Sequence, residues 1–169
     1  MGTRVEIRRA TDILGEERRQ LDWPWDISDE PDYVWADPDW RVLVWVKDQV
    51  VSQLGIVERV CSVGGRRVKL GGVGGVIALP EWRGQGFTTA AMKETARFIC
   101  DELEVEFGLL LCREFVVSFY QALGWQVVKA PVLFDQPGGK AIAPMMAMVL
   151  PCRGQEWPYG VIDLCGLPW

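Results

Sequence analysis

From Arg41 to Ala78 the chain is dominated by valine-rich runs broken by short turn signals. Arg41–Lys47 (RVLVWVK) and Gln49–Val60 (QVVSQLGIVERV) read as two antiparallel strands joined by a tight turn at Lys47-Asp48, because β-branched residues suit a pleated, half-buried surface. Gly64-Gly65 signals another turn, and Arg66–Ala78 (RRVKLGGVGGVIA) predicts a third strand closed by Pro80. Its glycines Gly71, Gly72, Gly74 and Gly75 weaken a strand unless backbone must come close there or a bulge is needed. Beyond it the period changes. Phe87, Ala91, Phe98, Ile99 and Leu103 follow helical spacing, Gly108–Cys112 is a short apolar run typical of a buried strand, and Phe115–Leu123 predicts a second helix stopped by Gly124. Trp125–Lys129 and Met145–Leu150 read as late strands on either side of a turn at Gln136–Gly139. This order predicts a mixed α/β domain around one sheet, without repeat or linker.

With 169 residues, 49% hydrophobic and 24% charged, the chain suits one domain over residues 1–169 that buries ~70% of the surface its unfolded form exposes. No run approaches the length of a membrane span, and no apolar stretch follows the charges of MGTRVEIRRATD, so a cytoplasmic protein with no membrane partner is expected. Five cysteines, scattered and odd in number, argue against a disulfide framework, and the absence of histidine argues against a metal site. Without histidine, any proton transfer falls to carboxylate, tyrosine, lysine, cysteine, a terminus or water.

Charge is uneven. Asp22, Asp26, Asp29, Glu30, Asp32, Asp37 and Asp39 fall in a stretch with no basic residue, while the rest of the chain carries 16 acids against 18 bases. The same stretch holds Trp23, Trp25, Tyr33, Trp35 and Trp40, broken by Pro24, Pro31 and Pro38. Such large rings need a surface to pack on or a ligand to stack against. An acidic face of this kind attracts a cationic partner and repels nucleic acid; its alternative is a solvated loop anchored by core tryptophans.

The stretch Val76–Thr89 is a strand entering a helix through a glycine-rich turn. Glycines let amides converge on an anion, the helix start adds positive charge, and Arg83 can supply a guanidinium. A P-loop fails for want of a lysine after the glycines, and a dinucleotide fingerprint for want of a third glycine at Thr89. Arg83-Gly84-Gln85-Gly86-Phe87-Thr88 instead resembles the R/Q-x-x-G-x-G/A pyrophosphate loop of the GNAT superfamily of acyl-CoA-dependent N-acetyltransferases. Pro80 and Trp82 stand where that family often has P-x-[YW]-R, and Thr88 replaces a usual glycine or alanine. Phe119–Trp125 (FYQALGW) is similar to the family's F-Y-x-x-x-G-[FW] segment. From about Val42 to Trp125, and again at the end, the chain resembles the aminoglycoside 2′-N-acetyltransferase branch, and Glu156–Trp169 also resembles the tail of the nodulation N-acyltransferases.

The resemblance implies a central, mostly antiparallel sheet with a parallel splayed pair at the acyl-CoA site, flanked by helices. It implies acetyl-CoA as co-substrate, gripped by Arg83, Gly84, Gln85, Gly86, Phe87 and Thr88, with backbone groups of Val76, Ile77 and Ala78 along its pantetheine arm. Tyr120 is the implied acid; its alternative is a helix tyrosine packed against Trp125. A glutamate of the aminoglycoside-modifying relatives falls at Gly74 here, which leaves as bases the carboxylate of Trp169, then Glu58, then Asp163, or an amine that arrives neutral. Asp26, Asp29 and Asp32, with Trp25, are the expected contacts of a small cationic amine such as an amino sugar or polyamine. A CoA-binding domain without turnover and a module for basic peptides remain open, as does the oligomeric state, a homodimer included.

Overall fold

The computed structural model describes residues 2–23 and 32–169. Among them, ten strands form one continuous sheet. The strands are β1 (Thr3–Arg9), β2 (Trp40–Val46), β3 (Gln49–Val63), β4 (Arg66–Ala78), β5 (Phe107–Cys112), β6 (Gln126–Val128), β7 (Val132–Gln136), β8 (Gly139–Ile142), β9 (Met146–Pro151) and β10 (Ile162–Asp163). The α-helices are α1 (Gly15–Arg19), α2 (Phe87–Arg97) and α3 (Val117–Gln121). The order runs β6-β9-β5-β4-β3-β10-β7-β8, with β2 and then β1 added to the first half of β3. Pairing is antiparallel except for β4 with β5 and β7 with β10, the mixed sheet flanked by helices that the sequence predicts.

Alternation along the strands sends side chains to opposite faces. One face packs Val42, Val44, Ile56, Val73 and Leu110 against Met92 of α2, Ile99, and Tyr120 of α3. The other packs Val57, Leu70, Leu109 and Phe134 against Leu164 and Trp169 from the end of the chain. Under α1, Ile13 and Leu21 cover Leu43, Trp45 and Val50.

Several elements differ from the sequence expectation. The helix expected to reach Leu103 leaves α geometry after Arg97 and finishes as a π-type turn, Phe98–Glu102. The second helix is preceded by a 3-10 turn at Glu114–Val116. Strands β1, β7, β8 and β10 have no counterpart in that reading: β1 (TRVEIRR) is rich in charge and joins the sheet only by pairing with β2, and the others are short pieces set by their neighbours. The argument against disulfides is corrected at one place. Cys100 and Cys152, 52 residues apart in sequence, are bonded, because the π-type turn and the end of β9 bring their Cα atoms to 5.0 Å. Cys61 and Cys112 are buried free thiols and Cys165 an exposed one. No helix among the described residues is long and apolar enough to cross a membrane.

The Cys100–Cys152 bond closes a loop containing β5, α3 and β6 through β9. Replacing both cysteines by serine is expected to cost about 2–4 kcal/mol, read as a lower urea midpoint. A reductant should lower the midpoint of the parent chain and leave that of the variant unchanged.

Candidate active site

β4 and β5 pair in parallel only from Leu70–Val73 against Phe107–Leu110. Past Val73, β4 carries a bulge in which Gly75 and Val76 together face Leu54 alone, between the pairs Gln53–Ile77 and Gly55–Gly74. Gly75 has φ 64°, where a side chain would be strained. The strands therefore diverge, and among the described residues no strand covers the outer edge of β4 beyond Val73. Leu79 N–H donates to Val51 O at 3.0 Å. By the alternation of an antiparallel ladder, the polar groups of Ile77 then face β3, and those of Val76 and Ala78 face the open edge. Of the three strand residues singled out in the sequence, Val76 and Ala78 thus turn backbone groups to the outer edge, where the Ala78 carbonyl already accepts from Arg83, and Ile77 is occupied with Gln53.

The strand runs through a short 3-10 turn, Pro80–Trp82, into the exposed stretch Arg83–Gly86 and then α2. Gly86 caps the helix at φ 85° and has no side chain to occupy the end; no acid lies in the first turn. The amides of the cap and first turn have no intrahelical acceptor, and they gather at the positive end of the helix dipole. A Cβ built on Gly84 or Gly86 would meet no atom within 4 Å, so the space before these amides is open. Arg83 Nε donates to Ala78 O at 3.2 Å and Gln85 Nε2 to Glu81 O at 3.1 Å, which ties the turn back to the strand and the 3-10 turn. Thr88, the departure from the usual small residue, turns its hydroxyl to within 3.4 Å of the Ser52 hydroxyl. Ser52, fully buried, in turn donates to Ile77 O at 3.1 Å. An anion such as a diphosphate fits this end of α2.

Tyr120 is buried beside Cys112, the last residue of β5, and burial pushes its phenol up to about 12, the Cys112 thiol adding to the effect. Its backbone carbonyl accepts the Leu123 and Trp125 amides at 3.0 and 3.1 Å, which fixes the short α3 against the start of β6. Tyr120 belongs to the same packed cluster as Val73 and Leu110, where β4 and β5 part.

The opposite face is closed by Trp169. A Cβ on Gly72 would lie 2.0 Å from its Cε2, and one on Gly74 would lie 2.4 Å from its carbonyl carbon. The indole Nε1 donates to Leu109 O at 3.2 Å, so the ring bridges β4 and β5 at the pair Gly72–Leu109, one before their pairing ends. Arg59 lies over the ring at 5.1 Å, its Nη1 donating to Leu164 O and Leu167 O. Ala36 N–H donates to Pro168 O at 2.7 Å, and Tyr33 packs edge-on against Phe134, so the described part of the acidic aromatic segment lines the same face. Asp32 is exposed at its start, whereas Trp25, Asp26 and Asp29 lie outside the described residues.

Two expected acids are not brought to the divergence. Glu58 pairs across β3 and β4 with Gly71, whose Cβ would point at Ile99. It therefore lies on the face of α2, opposite Trp169, and forms an ion pair with Lys69 at 3.0 Å. Asp163, paired with Ser62 near the far end of β3, accepts from Lys140 at 2.8 Å; that cation and the Cys165 amide hold its carboxyl below the usual range. Sequence reasoning missed Ser52, Gln53 and Arg59. Ser52 and Gln53 carried a signal, since they are polar in the otherwise apolar run VVSQL and both are buried.

The sequence of residues 24–128 matches the family model of the acetyltransferase (GNAT) domain, and the chain belongs to that family. No curated protein matches it in sequence. Its fold is similar to Escherichia coli ElaA, 15% identical, with a TM-score of 0.61 over 88% of this chain and 99% of that one. A GNAT family acetyltransferase of Brucella melitensis, solved with acetyl-CoA, is 14% identical with a TM-score of 0.61 over 95% and 94% of the two chains. A GCN5-related N-acetyltransferase of Kribbella flavida is 26% identical over 52% of this chain, with a TM-score of 0.46; the chain spans 22% of that protein's length.

The glycine-on-tryptophan contact is open to a direct check. Gly72→Ala forces its methyl group into the indole of Trp169 and should cost about 1–3 kcal/mol. Gly138→Ala, where a Cβ meets nothing within 4 Å, should stay within about 0.5 kcal/mol of the parent in the same urea titration.

Proposed function

We propose that this chain transfers the acetyl group of acetyl-CoA to a primary amine of a small cationic acceptor, an amino sugar of the aminoglycoside type or a polyamine. The observation that carries the reading is the open backbone edge at Val76 and Ala78 leading directly into the exposed, amide-rich end of α2. Acetyl-CoA bound there supplies an activated thioester carbonyl. The amides of Gly84, Gln85, Gly86, Phe87 and Thr88, with the Arg83 guanidinium, hold the diphosphate. Val76 and Ala78 take the pantetheine arm as an edge takes an added strand, and an amide of that edge donates to the carbonyl oxygen as negative charge gathers on it.

The acceptor nitrogen attacks the carbonyl carbon; the C–N bond forms and the C–S bond breaks. Tyr120 donates its phenolic proton to the departing sulfur and regains one from solvent. Holding the two reactants in contact supplies much of the acceleration, so no covalent enzyme intermediate is required. Trp169 walls the acceptor side, with Asp32 and the expected Trp25, Asp26 and Asp29 drawing the cation in. Glu58 and Asp163 are engaged by Lys69 and Lys140. The Trp169 carboxyl, which lies against Gly74, is the remaining candidate base; an amine that enters neutral instead releases its proton to water.

Acetyl-CoA at ~100 times its Kd should add ~2.7 kcal/mol of stability, raising the Tm by ~5–11 °C; an unchanged Tm refutes the reading. Tyr120→Phe should lower kcat about 10²-fold while keeping that Tm response. In the pH profile, kcat/KM should rise as the acceptor ammonium deprotonates. Because burial raises the Tyr120 pKa to about 12, its proton-bearing form persists through neutral and mildly alkaline pH, and Tyr120 imposes no fall in rate below about pH 10.

A further inference from the structure

On the face closed by Trp169, Arg41 of β2 stands opposite Gly55 of β3, which stands opposite Gly74 of β4. Arg41 Nη1 donates to Gln53 Oε1 at 2.9 Å. Gln53 is only 2% exposed, and its Nε2 donates to Leu21 O at 3.0 Å. Both ends of this buried amide are thereby used, and it fixes the guanidinium over β3. The backbone partner of Gln53 is Ile77, between the two residues that open toward the β4 edge. Only β3 thus separates Arg41 from that part of β4.

One more donor of the guanidinium lacks a partner among the described residues. Arg41 Nε is buried without an acceptor. Arg18, Asp22 and Asp37 act on it through space, but neither acid forms an ion pair with it among the described residues. With Nη1 taken by Gln53, the unpartnered donor is Nε, which together with Nη2 forms the edge by which an arginine chelates a carboxylate through two parallel hydrogen bonds. A buried donor without a partner opposes folding, and an arriving anion relieves that cost.

We propose that Arg41, held in place by Gln53, is a specificity-determining residue that binds a carboxylate of the acceptor. The preferred acceptor is then a zwitterion whose primary amine reaches the β4 edge while its carboxylate lies one to two strand spacings away, about 5–10 Å. A flexible ω-amino acid spans that distance. The inference rests on the acetyltransferase reading and keeps its primary amine, but replaces the purely cationic amino sugar or polyamine by an acceptor that also carries a negative group.

The test compares kcat/KM for γ-aminobutyrate, δ-aminovalerate and ε-aminocaproate with that for n-alkylamines of matching length, using acetyl-CoA as donor. At least one acid should exceed its matched amine by about 10- to 100-fold, the range of a charge-assisted pair. Arg41→Met should abolish the preference by raising KM for the acid, and Arg41→Lys, which keeps the charge and lacks the fork, should retain only part of it. Equal or poorer use of the acids by the parent protein overturns the inference, and needs no variant to fold. A preference that survives in Arg41→Met overturns it as well. In both cases a retained Tm response to acetyl-CoA leaves the acetyltransferase reading intact; loss of that response in the parent protein sinks the two together.

Discussion

A parallel pair of strands that stops pairing after four residues is the constraint from which this site follows. As long as β4 and β5 are bonded, their facing amides and carbonyls satisfy each other. Once the bulge at Gly75 and Val76 turns β4 aside, backbone groups that would have been paired are left facing open space. The same strand then enters α2 through a turn whose glycines leave the helix end bare. One bend therefore sets out, in sequence order, an edge that no described strand covers and an anion-receptive helix start. Ser52 holds the two in register, since its hydroxyl touches both Ile77 and Thr88.

The other side of the divergence depends on missing side chains. Gly72 and Gly74 leave the surface of β4 flat enough for Trp169 to lie directly on it, with Arg59 above the ring and the Leu109 carbonyl at its edge. The glycines of this strand thus serve two separate needs: Gly75 a backbone angle, and Gly72 and Gly74 room for a ring and its main chain. The contact of Ala36 with Pro168 joins the acidic segment to the same assembly, so packing of the chain end and the shape of the proposed acceptor wall are mechanically connected.

Much of this was legible from residue pattern. The hairpin around Lys47-Asp48, the glycine-rich strand and the turn into a helix all follow from valine runs, glycines and a change of period, and the structure has them within a few residues. β1 was missed although Thr3, Val5 and Ile7 alternate with Arg4, Glu6 and Arg8 as in a half-buried edge strand; its density of charge hid the pattern. The Cys100–Cys152 pair was hidden for a different reason: a distance of 52 residues says nothing until the π-type turn and β9 meet. The candidate bases were the least legible part. Glu58 sits on a strand beside the glycines, but the side-chain period of two sends it to the face of α2, where Lys69 takes it. Arg41 gave no sign either, since only the buried amide of Gln53 distinguishes it from an ordinary strand arginine.

The Cys100–Cys152 bond also governs what happens if the backbone is cut. The exposed turn at Pro137-Gly138 lies inside the loop this bond closes. A protease nicking the turn would therefore release no fragment: the piece bearing β9 and Trp169 would stay tethered to the piece bearing β4 and α2. Under oxidising conditions such a nicked molecule would migrate as intact on a denaturing gel, and the break would become visible only after a thiol was added.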